Sequence, residues 1–208
     1  MPTSFADIAF TPSVQALQSR HGSRTQYARM QARAGESTLS ARERDFLQQA
    51  DTFYLATVGE TGWPYVQHRG GPPGFVRVHS PSQVAFADFR GNLQYVSAGN
   101  VARDDRASII VVDVANRRRL KLLGHLHLVD LADADEALAA SVALPGYRAT
   151  VERIALFDVV AFDWNCPQHI TQRFTADEVE AVTRPLEVRI ASLEAELRHA
   201  NLRAAAPR

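Results

Sequence analysis

Residues 119–129 read RLKLLGHLHLV and alternate with period two. Leu120, Leu122, Gly124, Leu126 and Leu128 fall on one side of an extended chain, and Arg119, Lys121, Leu123, His125 and His127 on the other. A helix would mix these two sets, so the stretch is a strand with one face in a core. Such a strand needs neighbours whose own apolar faces complete that core. Candidates surround it. TFYLATV (52–58) meets WPYVQHR (63–69) across GETG, a short hairpin connection, and FVRV and QVAFAD follow the breaker GGPPG. ASIIVVDV (107–114) is a continuous β-branched run, expected to be a central strand buried on both faces, and RIALFDVVAFDW (153–164) is a further strand. About six strands with two short helical interruptions predict a mainly β fold, an antiparallel barrel rather than a parallel sheet.

Helical signals flank this region. Ser40 and Glu43 have capping-box spacing at the start of LSARERDFLQQAD, with Phe46, Leu47 and Ala50 on one face. SRTQYARMQAR is a helical patch, and DADEALAASVAL (133–144) reads as a helix between strands. Near the C-terminus, Thr175 and Glu178 cap a helix whose Val179, Val182, Leu186, Ile190, Leu193 and Leu197 recur at three- and four-residue steps. Pro185 is expected to interrupt or restart it. One apolar stripe on a charged helix needs a partner surface, and the chain's own barrel, a symmetry mate and a coiled-coil partner all satisfy the pattern. The chain thus divides into an N-terminal wrapping segment (1–39), a barrel domain (40–174) and a C-terminal helix and tail (175–208).

Composition narrows the functional classes. Basic and acidic side chains balance at 23 each, where a nucleic-acid partner calls for a basic excess. No apolar run approaches the ~20 residues that span a bilayer. The N-terminus lacks the basic and apolar regions of a signal peptide, and the single Cys166 fits a reducing compartment, so a cytoplasmic location is expected.

Few chemical constellations survive inspection. Cys166 lies three residues from His169, a spacing that carries little geometric information about a nucleophile and its base. His125 and His127 form an H-x-H pair with no assignable third ligand, so no metal is expected. Arg117 to Arg119 fall in a hairpin loop, and Asp104–Asp105 read as a turn. The richer segment is DFRGNLQYVSAGN (88–100). Asp88, Arg90, Asn92, Gln94 and Ser97 offer polar partners, and Gly91 permits close approach of an anion to the backbone. Arg69, Arg119 and Lys121 add cations, while WNCPQHITQRF (164–174) supplies Trp164, Gln168, His169 and Arg173 in one bend. From the residues alone, a site for a phosphate-bearing ligand and a purely structural turn both remain open.

The blocks FYLATVGETGWPYVQHRGGPPGFVRV, FADFRGNLQYVSAGN, RRRLKLLGHLHLVD and AFDWNCPQHITQRF together resemble the pyridoxamine 5′-phosphate oxidase-like flavoproteins, in particular their bacterial oxidase-related branch. The likeness extends over essentially the whole chain. It implies a six-stranded antiparallel split β-barrel of FMN-binding type with peripheral helices and a C-terminal helix. It also implies a homodimer with two FMN sites at its interface, and a small-molecule substrate. On this likeness Gln67, His68 and Arg69 line the flavin and help bind its phosphate. Asp88 to Gln94, including Arg90 and Asn92, match the phosphate-binding turn, and Arg119 and Lys121 reach the flavin from the interface. Trp164 and Arg173 approach the partner's cofactor; Gln168 completes that bend, and His169 is the candidate proton donor. Two departures stand out. Relatives show GNRQY where this chain has Leu93, and LLGR where it has His125. One lost charge-assisted hydrogen bond is worth ~1.5–3 kcal/mol, roughly one to two orders of magnitude in FMN affinity. QHITQR also lacks the Arg-x-His pair of the authentic oxidases, which argues against vitamin B6 oxidation. The expectation is an FMN-dependent oxidoreductase. The alternative is a non-catalytic barrel that holds FMN weakly, or another ligand such as a deazaflavin or haem.

Overall fold

The computed structural model describes residues 4–33, 38–164 and 167–204; Cys166 lies outside them. The chain forms two compact units, one running up to Asp113 and resuming at Arg118–Gln168, the other comprising Val114–Arg117 and the chain from His169 onward. No helix among the described residues is long and apolar enough to cross a membrane.

The first unit is built on one antiparallel sheet. Its strands are β1 (Thr52–Val58), β2 (Pro64–Gly70), β3 (Val76–Ser80), β4 (Gln83–Phe89), β5 (Arg106–Asp113), β6 (Arg118–Asp130) and β7 (Val151–Trp164), in the order β2-β1-β5-β6-β7-β4-β3. Every strand segment named from the sequence, FVRV included, forms a strand, which makes seven where a six-stranded barrel was expected. Three strands separate β1 from β4, which in a flat ladder would place them ~19 Å apart. Yet Phe53 on β1 meets Phe86 on β4 with ring centroids 5.0 Å apart, and Arg69 on β2 pairs with Asp88 on β4. The sheet therefore curls until its two halves face each other, as in a split barrel.

Phe53, Leu55, Phe86, Ile109, Leu120, Leu122 and Phe157 fill the interior, all within the most deeply buried part of the chain. β6 alternates as its sequence requires. At Gly124 the β6–β7 register shifts, and an added Cβ would lie 2.0 Å from the Asp158 carbonyl, so only glycine admits this bulge. β5 departs from expectation. Ala107, Ile109 and Val111 are buried, but Ser108, Ile110 and Val112 are half-exposed on the outer face. Its apolar run fills one face and leaves the other lightly covered.

Helices surround the barrel. α1 (Phe5–Ala9), α2 (Pro12–Arg20) and α3 (Arg24–Arg33) precede the sheet, and α1 lies against β7. Only α3 is evident from periodicity; α1 and α2 are short and rest on the local caps of Ser4 and of Thr11 with Pro12. α4 (Ala41–Gln49) carries the expected Ser40–Glu43 capping box. The buried Glu43 also accepts a hydrogen bond from Trp164 Nε1 at 2.7 Å, and Phe46 packs edge-on to the indole. Burial pushes the Glu43 carboxyl up, but the hydrogen bonds from Ser40 and Trp164 outweigh it and hold the pKa below its ordinary value of 4.5. α5 (Val96–Arg103) follows β4, and a 3-10 turn (Leu131–Asp133) and α6 (Glu136–Ser141) stand where one longer helix was expected.

In the second unit, α7 (Ala176–Ala204) starts at the Thr175–Glu178 capping box and runs without a break through Pro185. The expected interruption does not occur. A missing N–H removes one intrahelical bond, which a helix already nucleated on both sides can lose.

Candidate functional site

Curling brings the interior side of β2 against the end of β4, and there the candidate site forms. Arg69, Gln67 and Tyr65 point inward from β2, opposite Phe53, Leu55 and Thr57 in register. Asp88, near the end of β4, is 2% exposed and takes Arg69 Nη1 on one carboxylate oxygen and Arg153 on the other. Arg153 donates from Nε and Nη2 at 2.8 and 2.7 Å. It stands directly across the β4–β7 ladder from Asp88. Burial works against the Arg153 charge, but Asp88 and then Glu152 hold its pKa above the ordinary value. The guanidinium also lies over the Tyr95 ring, 5.0 Å from its centroid.

The loop between β4 and α5 closes the site. Leu93 (φ 61°) and Tyr95 (φ 50°) both take the left-handed conformation that favours glycine, a strained pair beside Gly91 and Asn92. Tyr95 is the N-cap of α5 and makes no side-chain cap, so the first-turn N–H groups of α5 lack the usual side-chain acceptor. A cavity of about 50 Å³ opens there, lined by Gln67, Arg69, Asp88, Asn92, Gln94 and Arg153 together with residues 95–98. A cavity of this kind needs ~10–15 Å³ to hold one water molecule, so there is room for a phosphoryl-sized group. Arg69 Nε is buried with no hydrogen-bond partner among the described residues. Ser97, also buried, is committed to Gln67 Oε1 at 2.8 Å. Arg90 is exposed and lies 3.6 Å from Glu152, so three arginines stand against two carboxylates around the cavity. A net positive charge, an uncommitted guanidinium N–H and a helix start without a side-chain cap fit a phosphate group.

The sequence-predicted residues therefore separate. Gln67, Arg69, Asp88, Asn92 and Gln94 gather at the cavity, with Arg90 at its rim. His68, Arg119 and Lys121 belong to the opposite, outer face of the sheet. His68 contacts Thr52 and Tyr54, and Lys121 Nζ stands 5.1 Å from the Phe5 ring. Asp163, across the ladder from Lys121, has its pKa raised by burial, which Lys121 only partly offsets. Trp164 is engaged at α4, and Gln168 is exposed in the turn after β7. His169 (φ 64°) and Arg173 are exposed in the second unit. His125 pairs with Asp105 at 2.8 Å and His127 lies 3.3 Å from Asp158; no cluster of three potential metal ligands occurs among the described residues. Arg153, Glu152 and Tyr95 are site residues that sequence reasoning missed. Only the register of β7 against β4 brings the first two there.

Residues 39–163, more than half of the chain, match the family model of pyridoxamine 5′-phosphate oxidase. The chain belongs to the pyridoxamine 5′-phosphate oxidase family. No curated protein matches it significantly. Among solved structures it is similar to HupZ from Group A Streptococcus, at 12% identity over 65% of this chain and 99% of that one, with a TM-score of 0.49. A Clostridium acetobutylicum protein related to general stress protein 26 shares 14% identity over 65% and 92%, with a TM-score of 0.43. An F420 reductase shares 18% over 57% and 94%, with a TM-score of 0.42. Leu93 and Arg153 both line the cavity.

Proposed function

We propose that this chain is an FMN-binding member of the family that acts as an FMN-dependent oxidoreductase on a small molecule other than vitamin B6. The observation that carries the reading is the cavity at the start of α5, where Arg69 and Arg153 meet helix N–H groups that no side chain caps. Arg69, Arg153, Asn92 and Gln94 would hold the phosphate, with Arg90 adding charge from the rim. When bound, FMN supplies electron and hydride transfer, while the protein supplies binding, orientation and electrostatics. Asp88 fixes the two arginines so that neither has to be ordered as the anion arrives.

The active form in this proposal is a homodimer. Tyr54, Val66, Ile110 and Val112 leave an apolar, incompletely covered outer face on β2-β1-β5-β6. Pairing there would carry His68, Arg119 and Lys121 toward the partner's cofactor, while for Trp164, Gln168 and Arg173 a role at that cofactor rests on the family likeness alone. His169 remains the nominee for proton donation. A second reading, a non-catalytic barrel that holds FMN weakly or takes a deazaflavin or haem, is favoured by Leu93 and by Glu152, a carboxylate at a site meant for an anion.

Equilibrium titration with FMN and with riboflavin tests the proposal. A phosphate held by charge-assisted hydrogen bonds makes FMN bind roughly 10- to 150-fold more tightly than riboflavin. Equal affinities would remove the cavity from the cofactor site.

A further inference from the structure

We propose that α7 pairs, parallel and in register, with α7 of a second copy of this chain. Val179, Val182, Leu186, Ile190, Leu193 and Leu197 are each between 46% and 66% exposed, although they form the one apolar stripe of the helix. At 100° per residue they fall within an arc of ~80° and run for about five turns. The polar face satisfies itself. Glu180 pairs with Arg184 and Glu194 with Arg198 one turn on, at 3.8 and 3.9 Å, which leaves the stripe as the surface without a use. Covering the exposed half of six such side chains on each of two helices buries on the order of 1,000 Å², the lower bound of a specific interface.

The stripe's own chemistry selects the occupant. Ile190 and Leu193 stand at three-residue spacing as a β-branched residue followed by leucine, the pairing that favours two parallel strands, while Val179 is followed at the same spacing by Val182. In such a pair Arg189, which lies 3.9 Å from Glu196 of its own helix, also falls beside Glu194 of the second copy, five residues on. Glu178 falls beside Thr183 and Glu196 beside Asn201, so no like charges meet. The steps of three, four, four, three and four residues average 3.6, so the two helices stay in contact almost straight, with little supercoil. Pro185 sits off the stripe and does not obstruct it.

Disulfide trapping in the full chain, with Cys166→Ser as background, tests this. Val179→Cys and Leu193→Cys each form covalent dimer under mild oxidation at low micromolar concentration, at least tenfold more than Val188→Cys, which is more exposed and lies on the opposite face. Adding Leu186→Glu and Leu193→Glu to the Val179→Cys chain lowers its crosslinking tenfold or more, while the thermal unfolding of the barrel is retained. Equal trapping at Val188 overturns the proposal, as does none at Val179. Trapping of Val179→Cys only in a chain that also carries Leu197→Cys means an antiparallel pair and overturns it too.

Discussion

Replacing Arg153 by alanine separates the site's architecture from its ligand chemistry. The side chain makes two charge-assisted hydrogen bonds to Asp88, and its removal leaves a carboxylate that is 2% exposed with Arg69 alone. Breaking a fully buried pair costs about 3–5 kcal/mol; with the arginine 18% exposed, solvent screening reduces this to roughly 2–3 kcal/mol. For a chain of this size each kcal/mol moves Tm by about 2–4 °C, so the variant melts about 4–12 °C lower. The loss at the cofactor is a separate quantity. One cation removed from the phosphate lowers FMN affinity by ~1.5–3 kcal/mol, or roughly 10- to 150-fold, and Tyr95, no longer under the guanidinium, loses its support. Arg153→Lys keeps the charge without the two-atom reach and falls between. The assay is paired: thermal unfolding without ligand, and flavin-fluorescence titration well below the lowered Tm. A drop in Tm with unchanged FMN affinity would refute the reasoning, because Arg153 would then serve only to hold Asp88.

Other perturbations bear on neighbouring parts of the account. Leu93→Arg adds a cation at the cavity and raises FMN affinity by roughly 10-fold or more in the same titration. Glu43 has a folded pKa below its unfolded value, so its stabilisation is complete above about pH 4.5 and is lost as pH falls through the lower, folded value. Glu43→Gln is accordingly less stable at pH 7 and shows a flatter acid limb when Tm is followed downward from pH 5. Gly124→Ala drives a methyl group into the Asp158 carbonyl and costs at least ~3 kcal/mol, read as a large fall in the urea midpoint.

The strands were legible wherever one residue pattern determined one face, as in β6, and α4 was legible because Ser40 and Glu43 make a purely local cap. What escaped was non-local. Nothing in VERIALF marks Arg153 as a site residue until β7 pairs with β4 and sets it opposite Asp88. The same register places Glu152 beside the cavity, and the left-handed turn at Tyr95 has no glycine to announce it. β5 misled through composition: Ile110 and Val112 look like core residues, yet alternation puts them on the outer face with Arg119 and Lys121. Pro185 misled in the opposite sense, since a breaker in a long exposed helix removes one bond without ending it. The family likeness pointed to the turn after β4, which lines the cavity, but it did not distinguish the inner side chains of β2 from His68 on the outer face.

The central claim is that the cavity between β2, β4 and the start of α5 is a working phosphate cradle for FMN. The most direct test is the visible absorption spectrum of the freshly purified chain, followed by titration with FMN. The account predicts a bound-flavin spectrum, or saturable uptake approaching one FMN per chain. A colourless protein that leaves added FMN free in solution would contradict it.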